Sequence, residues 1–189
     1  MRLSIVLSTQ PAQFQAATFK GDLETNLARI ASLGYDGVEL AIRDPKLIDL
    51  DELERLIQKH RLVVPAIGTG QAWGEEGLSF TDPDPAIRRA AIDRIKSHVP
   101  VAARFNAAII VGLVRGIVKP GVDHAQAMDW LIEALRECST AAAPAITAAF
   151  QPFSVVLPKA SVALATTATM IAWSPLKAEA TAGRVCARA

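Results

Sequence analysis

Short apolar runs alternate with helical stripes of apolar residues through most of the chain. The runs at residues 2–7, 35–42, 63–67 and 107–113 have the length and the β-branched character of buried strands. Between them, apolar residues recur at helical spacing from about residue 23 to 33, 49 to 60, 84 to 105 and 123 to 138. A fifth strand is expected at residues 146–150. This order predicts repeated βα units with a parallel sheet, either open and doubly wound or closed into an eightfold barrel.

Local signals predict where the helices begin and where one of them is disturbed. N-caps are expected at three aspartates that stand just before a helical stripe: Asp22, Asp49 and Asp84. Leu33 is expected on the buried face of the first helix, and Asn106 at the end of the third. Pro100 lies inside that third helix, and because a mid-helix proline costs about 3 kcal/mol, we expect a kink or a break there.

A glycine-rich polar segment follows the third predicted strand. It spans residues 68–80 and leads into the helix that begins after Asp84. Four glycines leave its backbone free to approach a ligand: Gly68, Gly70, Gly74 and Gly77. Because the active sites of α/β proteins lie at loops that leave the carboxyl ends of parallel strands, we expect the functional site near this loop.

Composition narrows the class of protein. The chain has 189 residues, 51% of them hydrophobic, which is enough for one core, and its net charge is +1. Acidic and basic residues are interspersed through most of its length, so neither nucleic acid nor a membrane surface is an expected partner. The first apolar run is too short for a signal peptide. Cys138 and Cys186 lie far apart, which favours a cytoplasmic location.

The last part of the sequence differs from the rest. Only one of the 19 acidic residues, Glu179, lies after Cys138, and the remainder is rich in alanine, threonine and valine with interspersed prolines. We therefore divide the chain into residues 1–150 and an atypical tail at residues 151–189. The tail is interpreted in three ways: an apolar element that packs on the sheet, a poorly ordered segment, or a stretch read in a shifted frame.

Four sequence blocks resemble one family of proteins. They are GYDGVELAIRDP (34–45), AIGTGQAW (66–73), GLSFTDP (77–83) and IVGLVRG (110–116). In this order they resemble the amino-terminal half of the sugar phosphate isomerase/epimerase group of xylose isomerase-like TIM barrels, especially the 5-keto-L-gluconate (ketose) 3-epimerases. The resemblance implies a partial (β/α)8 barrel, with about five parallel strands in residues 1–150 and its site at their carboxyl ends.

The resemblance also implies a reaction and a cofactor. In that family two glutamates move a proton beside the carbonyl of a ketose, and a divalent cation such as Mn²⁺, Mg²⁺ or Co²⁺ holds the enediolate. The two glutamates bind the metal together with an aspartate and a histidine. At the place of the first glutamate this sequence has Gln151, within FQPFS (150–154), and a neutral amide neither accepts the proton nor supplies charge. We therefore assign no catalytic residue or metal ligand, and expect that this chain does not bind the ion.

Five residues are candidates for contact with a substrate, and each also has a structural explanation. Family position places Gln71, Trp73 and Glu75 on the substrate side of the loop; otherwise they bridge backbone groups, fill a gap and face solvent. Arg115 either clamps a hydroxyl or carboxylate group of the sugar or forms a surface ion pair. Glu39 points inward from the second strand as a hydrogen-bonding or paired structural acid.

The three histidines are interpreted as solvated or helix-capping residues: His60, His98 and His124. The sequence therefore leaves two main classes of function. One is a sugar isomerase or epimerase acting on a small sugar or keto acid, although its activity is doubtful because the chain looks truncated. The other is a catalytically inactive fragment that forms a homo-oligomer through exposed sheet edges, or a sugar-binding module.

Overall fold

The protein is described from a computed structural model, in which residues 2–11, 19–149 and 170–171 are described. The strands are β1 (Ser4–Ser8), β2 (Gly37–Ala41), β3 (Ala66–Gly68), β4 (Ala108–Ile110) and β5 (Met170–Ile171). The helices are α1 (Leu23–Ser32), α2 (Leu50–Lys59), α3 (Gln71–Glu76), α4 (Pro85–Phe105) and α5 (His124–Ala149). Two 3₁₀ turns, Pro45–Leu47 and Gly112–Arg115, follow β2 and β4.

The sheet has the order β1-β2-β3-β4-β5. The first four strands are parallel, whereas β5 pairs antiparallel with β4 through Ile110 and Met170. About five parallel strands were expected, and the described residues form four of them. The outer edge of β1 carries a bridge between Leu7 and Phe19.

The register of the strands divides the sheet into two faces. Leu7, Leu40, Ile67 and Ile109 occupy equivalent positions on neighbouring strands and pack toward the helices, the first three without any exposed surface. Complete burial of a leucine or isoleucine side chain contributes about 1.5–3 kcal/mol. The alternate positions, Val6 and Glu39 among them, lie on the opposite face, which is called the inner face below.

The predicted helix starts are confirmed. Asp22 accepts a hydrogen bond from the backbone N–H of Thr25 at 2.7 Å, and Asp49 accepts from those of Asp51 and Glu52 at 3.1 and 3.0 Å. Asp84 accepts from Ala86 at 2.8 Å. These caps satisfy N–H groups that have no partner within the first turn of a helix.

The expectation for Leu33 is wrong, and the break allowed for at Pro100 does not occur. Leu33 follows α1 and is 59% exposed, whereas Leu27 and Ile30 on the same helix are completely buried. Helix α4 continues through Pro100 to Phe105 without a break. Buried residues lie on both sides of the proline, and their packing outweighs the cost of about 3 kcal/mol that the proline imposes. Asn106 ends the helix in the left-handed conformation, as expected.

Two further differences concern the predicted loop and the fifth strand. Residues 71–76 of the glycine-rich loop form α3, because Ala72 and Trp73 pack into a core cluster with α4 and α5. Helix α5 extends beyond Cys138 to Ala149, so the strand expected at residues 146–150 is absent at 146–149. The proposed boundary at residue 150 stays a prediction. Among the helices of the described residues, none combines the length and the apolar character that crossing a bilayer requires.

Candidate functional site

Four buried polar side chains lie at the end of β1 or just after β1 and β3, at the carboxyl edge of the sheet. They are Ser8, Gln10, Thr69 and Gln71. Burial of a polar group costs free energy unless the group is hydrogen-bonded, so each donor and acceptor of these four side chains is expected to have a partner. Of the four, the sequence interpretation selected Gln71 alone. The signal that would have found the others is a polar residue placed directly after an apolar strand.

Two of these side chains hold neighbouring segments of backbone together. Gln10 Oε1 accepts from the N–H groups of Arg43 and Asp44 at 3.0 and 2.9 Å, and its Nε2 donates to the Asp44 carbonyl at 2.6 Å. The Thr69 hydroxyl lies 3.0 Å from the carbonyl oxygens of both Ile110 and Val111. Gln10 therefore fixes the loop after β2 against β1, and Thr69 fixes the end of β3 against β4.

Gln71 has a different environment. It is the first residue of α3 and is 1% exposed. Its Nε2 donates to Ser8 Oγ at 2.8 Å, and this hydroxyl donates to the Gln10 carbonyl at 2.7 Å. Gln71 Oε1 is buried and accepts no hydrogen bond from the described residues. The side-chain carbonyl of Gln71 is therefore a buried acceptor without a partner among the described residues.

Glu39 lies on the inner face near the middle of β2. Its side chain is half-buried, and burial raises the pKa of its carboxyl group. A Cβ atom added to Gly68 would lie 3.3 Å from Glu39 Oε1, so the carboxylate extends beside the end of β3. Of the positions on the inner face of β1 to β4, this is the single one with an ionisable side chain.

The remaining candidates belong to the segments after β3 and β4. Trp73 is partly buried in α3 and packs against the second core cluster, in agreement with its structural interpretation. Glu75, near the end of the same helix, is partly exposed. Arg115 ends the 3₁₀ turn after β4 and is also partly exposed. All three lie after the carboxyl ends of strands, as predicted, and their roles stay predictions.

The segments that carry Trp73 and Arg115 are locked to each other. The Phe80 N–H donates to the Val114 carbonyl at 2.8 Å, and the Thr81 hydroxyl donates to the Ile117 carbonyl at 2.9 Å. The nearby Asp82 carboxylate pairs with Lys119. Burial alone would raise the pKa of Asp82, but the hydrogen bonds from Lys119 and from the Asp84 N–H outweigh it and lower that pKa.

The expectation that all three histidines are solvated or capping is wrong for His98. This residue has no exposed surface, and its ring nitrogens lie 2.8 Å from the Arg94 carbonyl and 3.0 Å from the Ile42 carbonyl. Burial lowers its pKa. Through these two contacts the His98 side chain links α4 to Ile42, the residue after β2. His60 caps α2, in agreement with the expectation.

The described residues offer no site for a divalent ion. No three of their histidine, cysteine, aspartate or glutamate side chains converge closely enough to hold one. Metal ions of this kind need several oxygen or imidazole ligands, and the inner face supplies Glu39 alone. Gln151, at the family's first glutamate position, lies outside the described residues.

The family and the fold follow from comparison with known proteins. A family model described as the xylose isomerase-like TIM barrel matches residues 27–157. This stretch makes up more than half of the chain, and the chain therefore belongs to the xylose isomerase-like TIM barrel family. Its described part is a partial TIM barrel with four parallel strands. No curated protein sequence matches the chain.

Solved structures show the same fold at low sequence identity. D-allulose 3-epimerase from Methylomonas sp., in complex with D-allulose, has a TM-score of 0.51 and 22% identity over 64% of this chain and 41% of its own. D-psicose 3-epimerase with D-tagatose from Clostridium cellulolyticum H10 has a TM-score of 0.57 and 15% identity over 77% of this chain and 50% of its own. An AP endonuclease of family 2 from Brucella melitensis has a TM-score of 0.54 and 16% identity, with coverages of 76% and 52%. The chain spans about half the length of these structures.

Proposed function

We propose that this protein is a sugar isomerase/epimerase-like protein that binds a small ketose at the carboxyl edge of its sheet. The observation that carries the proposal is the buried amide of Gln71. Its Nε2 is bound to Ser8, while its Oε1 lacks a donor among the described residues. Leaving a buried acceptor without a partner costs about 1–3 kcal/mol, so a hydroxyl group of a ligand placed there gains this energy back.

The neighbouring candidates support the same interpretation. Trp73 follows Gln71 in α3, and aromatic side chains offer an apolar face to the C–H groups of sugars while remaining rigid. Glu75 and Arg115 lie on the two segments that the Phe80 and Thr81 hydrogen bonds lock together. We propose that these three side chains border the sugar, and that Gln71 Oε1 accepts a hydrogen bond from one of its hydroxyl groups.

The reaction proposed for the class is proton transfer beside the ketose carbonyl, in which a bound Mn²⁺, Mg²⁺ or Co²⁺ would supply stabilisation of negative charge. The described residues do not fit that ion, because Glu39 is the single carboxylate on the inner face and no group of three ligands is present among them. They support the binding part of the proposal. We derive no step through a metal.

A second candidate is a sugar-binding module without catalysis, and the same isolated position of Glu39 favours it. Proton transfer between the two faces of a carbon needs a base and an acid on opposite sides, and one carboxylate cannot supply both. We also keep as proposals a cytoplasmic location and a homo-oligomer formed through the sheet edges. The bridge of Phe19 to β1 and the pairing of β5 with β4 already occupy part of these edges.

The experiment that tests the proposal combines binding with isotope exchange. D-tagatose is titrated into the full chain by calorimetry, and the same mixture in D₂O, with and without Mn²⁺, is followed by NMR for deuterium at the carbon beside the carbonyl. We expect saturable binding with a Kd of about 1 μM to 1 mM, the range of ordinary enzyme sites. Exchange would assign the isomerase chemistry, and binding without exchange the binding module.

Two variants control the experiment. Gln71→Leu removes the amide at nearly constant volume and should weaken binding at least about tenfold, as expected for the loss of a buried hydrogen bond. Gln58→Leu replaces an exposed glutamine of α2 and should bind as the unmodified protein does. Circular dichroism and thermal unfolding establish that both variants are folded. The proposal fails if the folded protein binds no ketose, or if both variants bind it equally.

A further inference from the structure

Three buried residues at the carboxyl edge form one continuous chain of hydrogen bonds, which is called the relay below. Gln71 Nε2 lies 2.8 Å from Ser8 Oγ, and Ser8 Oγ lies 2.7 Å from the backbone carbonyl oxygen of Gln10. Ser8 is completely buried, and Gln71 and Gln10 are 1% and 6% exposed. Because so little of their surface reaches solvent, the donors and acceptors of the relay have to satisfy one another.

The direction of the relay is imposed by a backbone group. A carbonyl oxygen accepts hydrogen bonds and never donates one, so the Ser8 hydroxyl proton points to the Gln10 carbonyl. A hydroxyl group has a single proton, and Ser8 Oγ is therefore left as an acceptor toward Gln71. The Gln71 amide consequently turns its NH₂ group toward Ser8 and its Oε1 away from the relay.

The opposite orientation of the Gln71 amide conflicts with the same contacts. Rotation of the amide by 180° would place Oε1, instead of Nε2, beside Ser8 Oγ. The hydroxyl would then face two acceptors, Gln71 Oε1 and the Gln10 carbonyl, with one proton for both. A buried acceptor that loses its donor lowers the population of such a state by about 5-fold to 150-fold.

The Gln10 residue at the end of the relay is itself held by the loop after β2. Gln10 Oε1 accepts from the N–H groups of Arg43 and Asp44 at 3.0 and 2.9 Å, and Gln10 Nε2 donates to the Asp44 carbonyl at 2.6 Å. These partners are backbone groups as well, so their polarity is fixed. The relay and this contact together link the segments at the carboxyl ends of β1, β2 and β3.

We propose that Ser8 is a positioning residue, which fixes the Gln71 amide so that its acceptor oxygen is left for the ligand of the carboxyl-edge site. The ligand in this inference rests on the proposed function, whereas the orientation of the amide is a property of the protein without ligand. A binding group that is already held by supporting hydrogen bonds loses less conformational freedom when a ligand binds. Loss of the Ser8 hydroxyl should therefore weaken binding through its effect on Gln71.

The test compares two buried hydroxyl groups at the same edge of the sheet. Ser8→Ala removes the hydroxyl group of the relay. Thr69→Val is the matched control, because the Thr69 hydroxyl is also buried but lies 3.0 Å from the carbonyl oxygens of Ile110 and Val111 instead. Gln71→Leu identifies the NMR signals of the Gln71 amide by their absence. Circular dichroism establishes that each variant is folded.

The first measurement is the rate at which the side-chain NH₂ protons of Gln71 exchange with water in the protein without ligand. These protons should exchange at least about tenfold more slowly than those of Gln126, an exposed residue of α5. Ser8→Ala should reduce this protection by at least about fivefold, as expected for the loss of one hydrogen bond. Thr69→Val should leave the protection within about twofold of its original value, since it does not touch the relay.

The second measurement is the affinity for D-tagatose by calorimetry. Ser8→Ala should bind the sugar at least about fivefold more weakly than the unmodified protein, and Thr69→Val should stay within about twofold of it. Equal protection of the Gln71 amide in the two variants overturns the inference, and so do equal affinities. If the protection changes as expected but the unmodified protein binds no ketose, the proposed ketose site fails, whereas the fixing of the amide by Ser8 is confirmed.

Discussion

Substitution of Gly116 is the sharpest test of the contact between the segments after β3 and β4. The residue has φ 85° and ψ −175°, a conformation that is essentially restricted to glycine. An added Cβ atom would lie 2.1 Å from Ser79 Oγ and 2.2 Å from Thr81 Oγ1. Both hydroxyl-bearing residues are buried, so neither side chain has solvent-filled space into which it can move.

The expected cost of Gly116→Ala has two parts. Backbone strain contributes about 1–3 kcal/mol, and forcing a methyl group into a filled space contributes about another 1–3 kcal/mol. The sum, about 2–6 kcal/mol, is a large fraction of the 5–15 kcal/mol by which proteins of this kind are usually stable. Because each kcal/mol lowers the Tm of a chain of this size by about 2–4 °C, a cost near 4 kcal/mol lowers it by about 8–16 °C.

Gly121→Ala is the matched control. Gly121 has a similar φ of 82°, but nothing lies within 4 Å of the position that its Cβ atom would take. We expect a cost of about 1–2 kcal/mol, from the left-handed backbone alone. The free energy of unfolding of each variant is measured by urea denaturation at 25 °C with linear extrapolation. The difference between the two variants then reports the steric part together with the difference in backbone strain.

A double variant locates the clash. Ser79→Ala removes the nearer hydroxyl, and in that background Gly116→Ala should cost less by about 0.5–3 kcal/mol, the usual coupling between residues in contact. The reasoning is refuted if Gly116→Ala destabilises the protein no more than Gly121→Ala does. It is also refuted if the two substitutions at positions 79 and 116 are additive.

Three further predictions concern the core and two carboxyl groups. Ile67→Ala should lower the free energy of unfolding by about 2–5 kcal/mol, because Ile67 is completely buried in β3. Its control, Leu47→Ala, replaces a leucine that is 64% exposed and should change the free energy of unfolding by less than about 0.5 kcal/mol. Urea denaturation measures both. Burial raises the pKa of Glu39 above 4.5, so the neutral form of Glu39 stabilises the folded state at low pH. This contribution is lost as pH rises from 4.5 through the raised pKa. If Glu39→Gln keeps the same dependence of stability on pH, the raised pKa of Glu39 is contradicted. Arg89 and Lys96 lower the pKa of Glu137 from 4.5 to about 2, so its stabilisation is present above pH 4.5 and is lost as pH falls toward 2. Because these groups are partly exposed, the effect of Glu137→Gln at pH 7 should stay at or below about 1 kcal/mol, and acid titrations of stability should then coincide for variant and unmodified protein near pH 2.

His98 and helix α3 are two features that the local sequence does not predict. The sequence predicts a solvated or helix-capping His98, but one of its two hydrogen-bond partners, Ile42, lies 56 residues away along the chain. The burial of His98 is therefore decided by tertiary packing. Helix α3 was missed because Gly70, Gly74 and Gly77 signal a loop. Contacts of Ala72 and Trp73 with α4 and α5 stabilise the helix against that local preference, and no neighbour in the sequence reveals those contacts.

The sequence by itself determined the parts of this protein that depend on near neighbours. The caps at Asp22, Asp49 and Asp84 are hydrogen bonds within three residues, and the spacing of apolar residues sets the order of strands and helices. Its four blocks also indicated the family, and three of them contain the carboxyl ends of β2, β3 and β4.

The tertiary structure alone decided which side chains meet at the carboxyl edge. Ser8 and Gln71 are 63 residues apart, and their hydrogen bond exists because β1, β2 and β3 pair in one register. The same register brings Glu39 beside Gly68. A shift of one residue in that pairing would turn Glu39 toward the helices, so the site is a property of strand register, which local sequence does not specify.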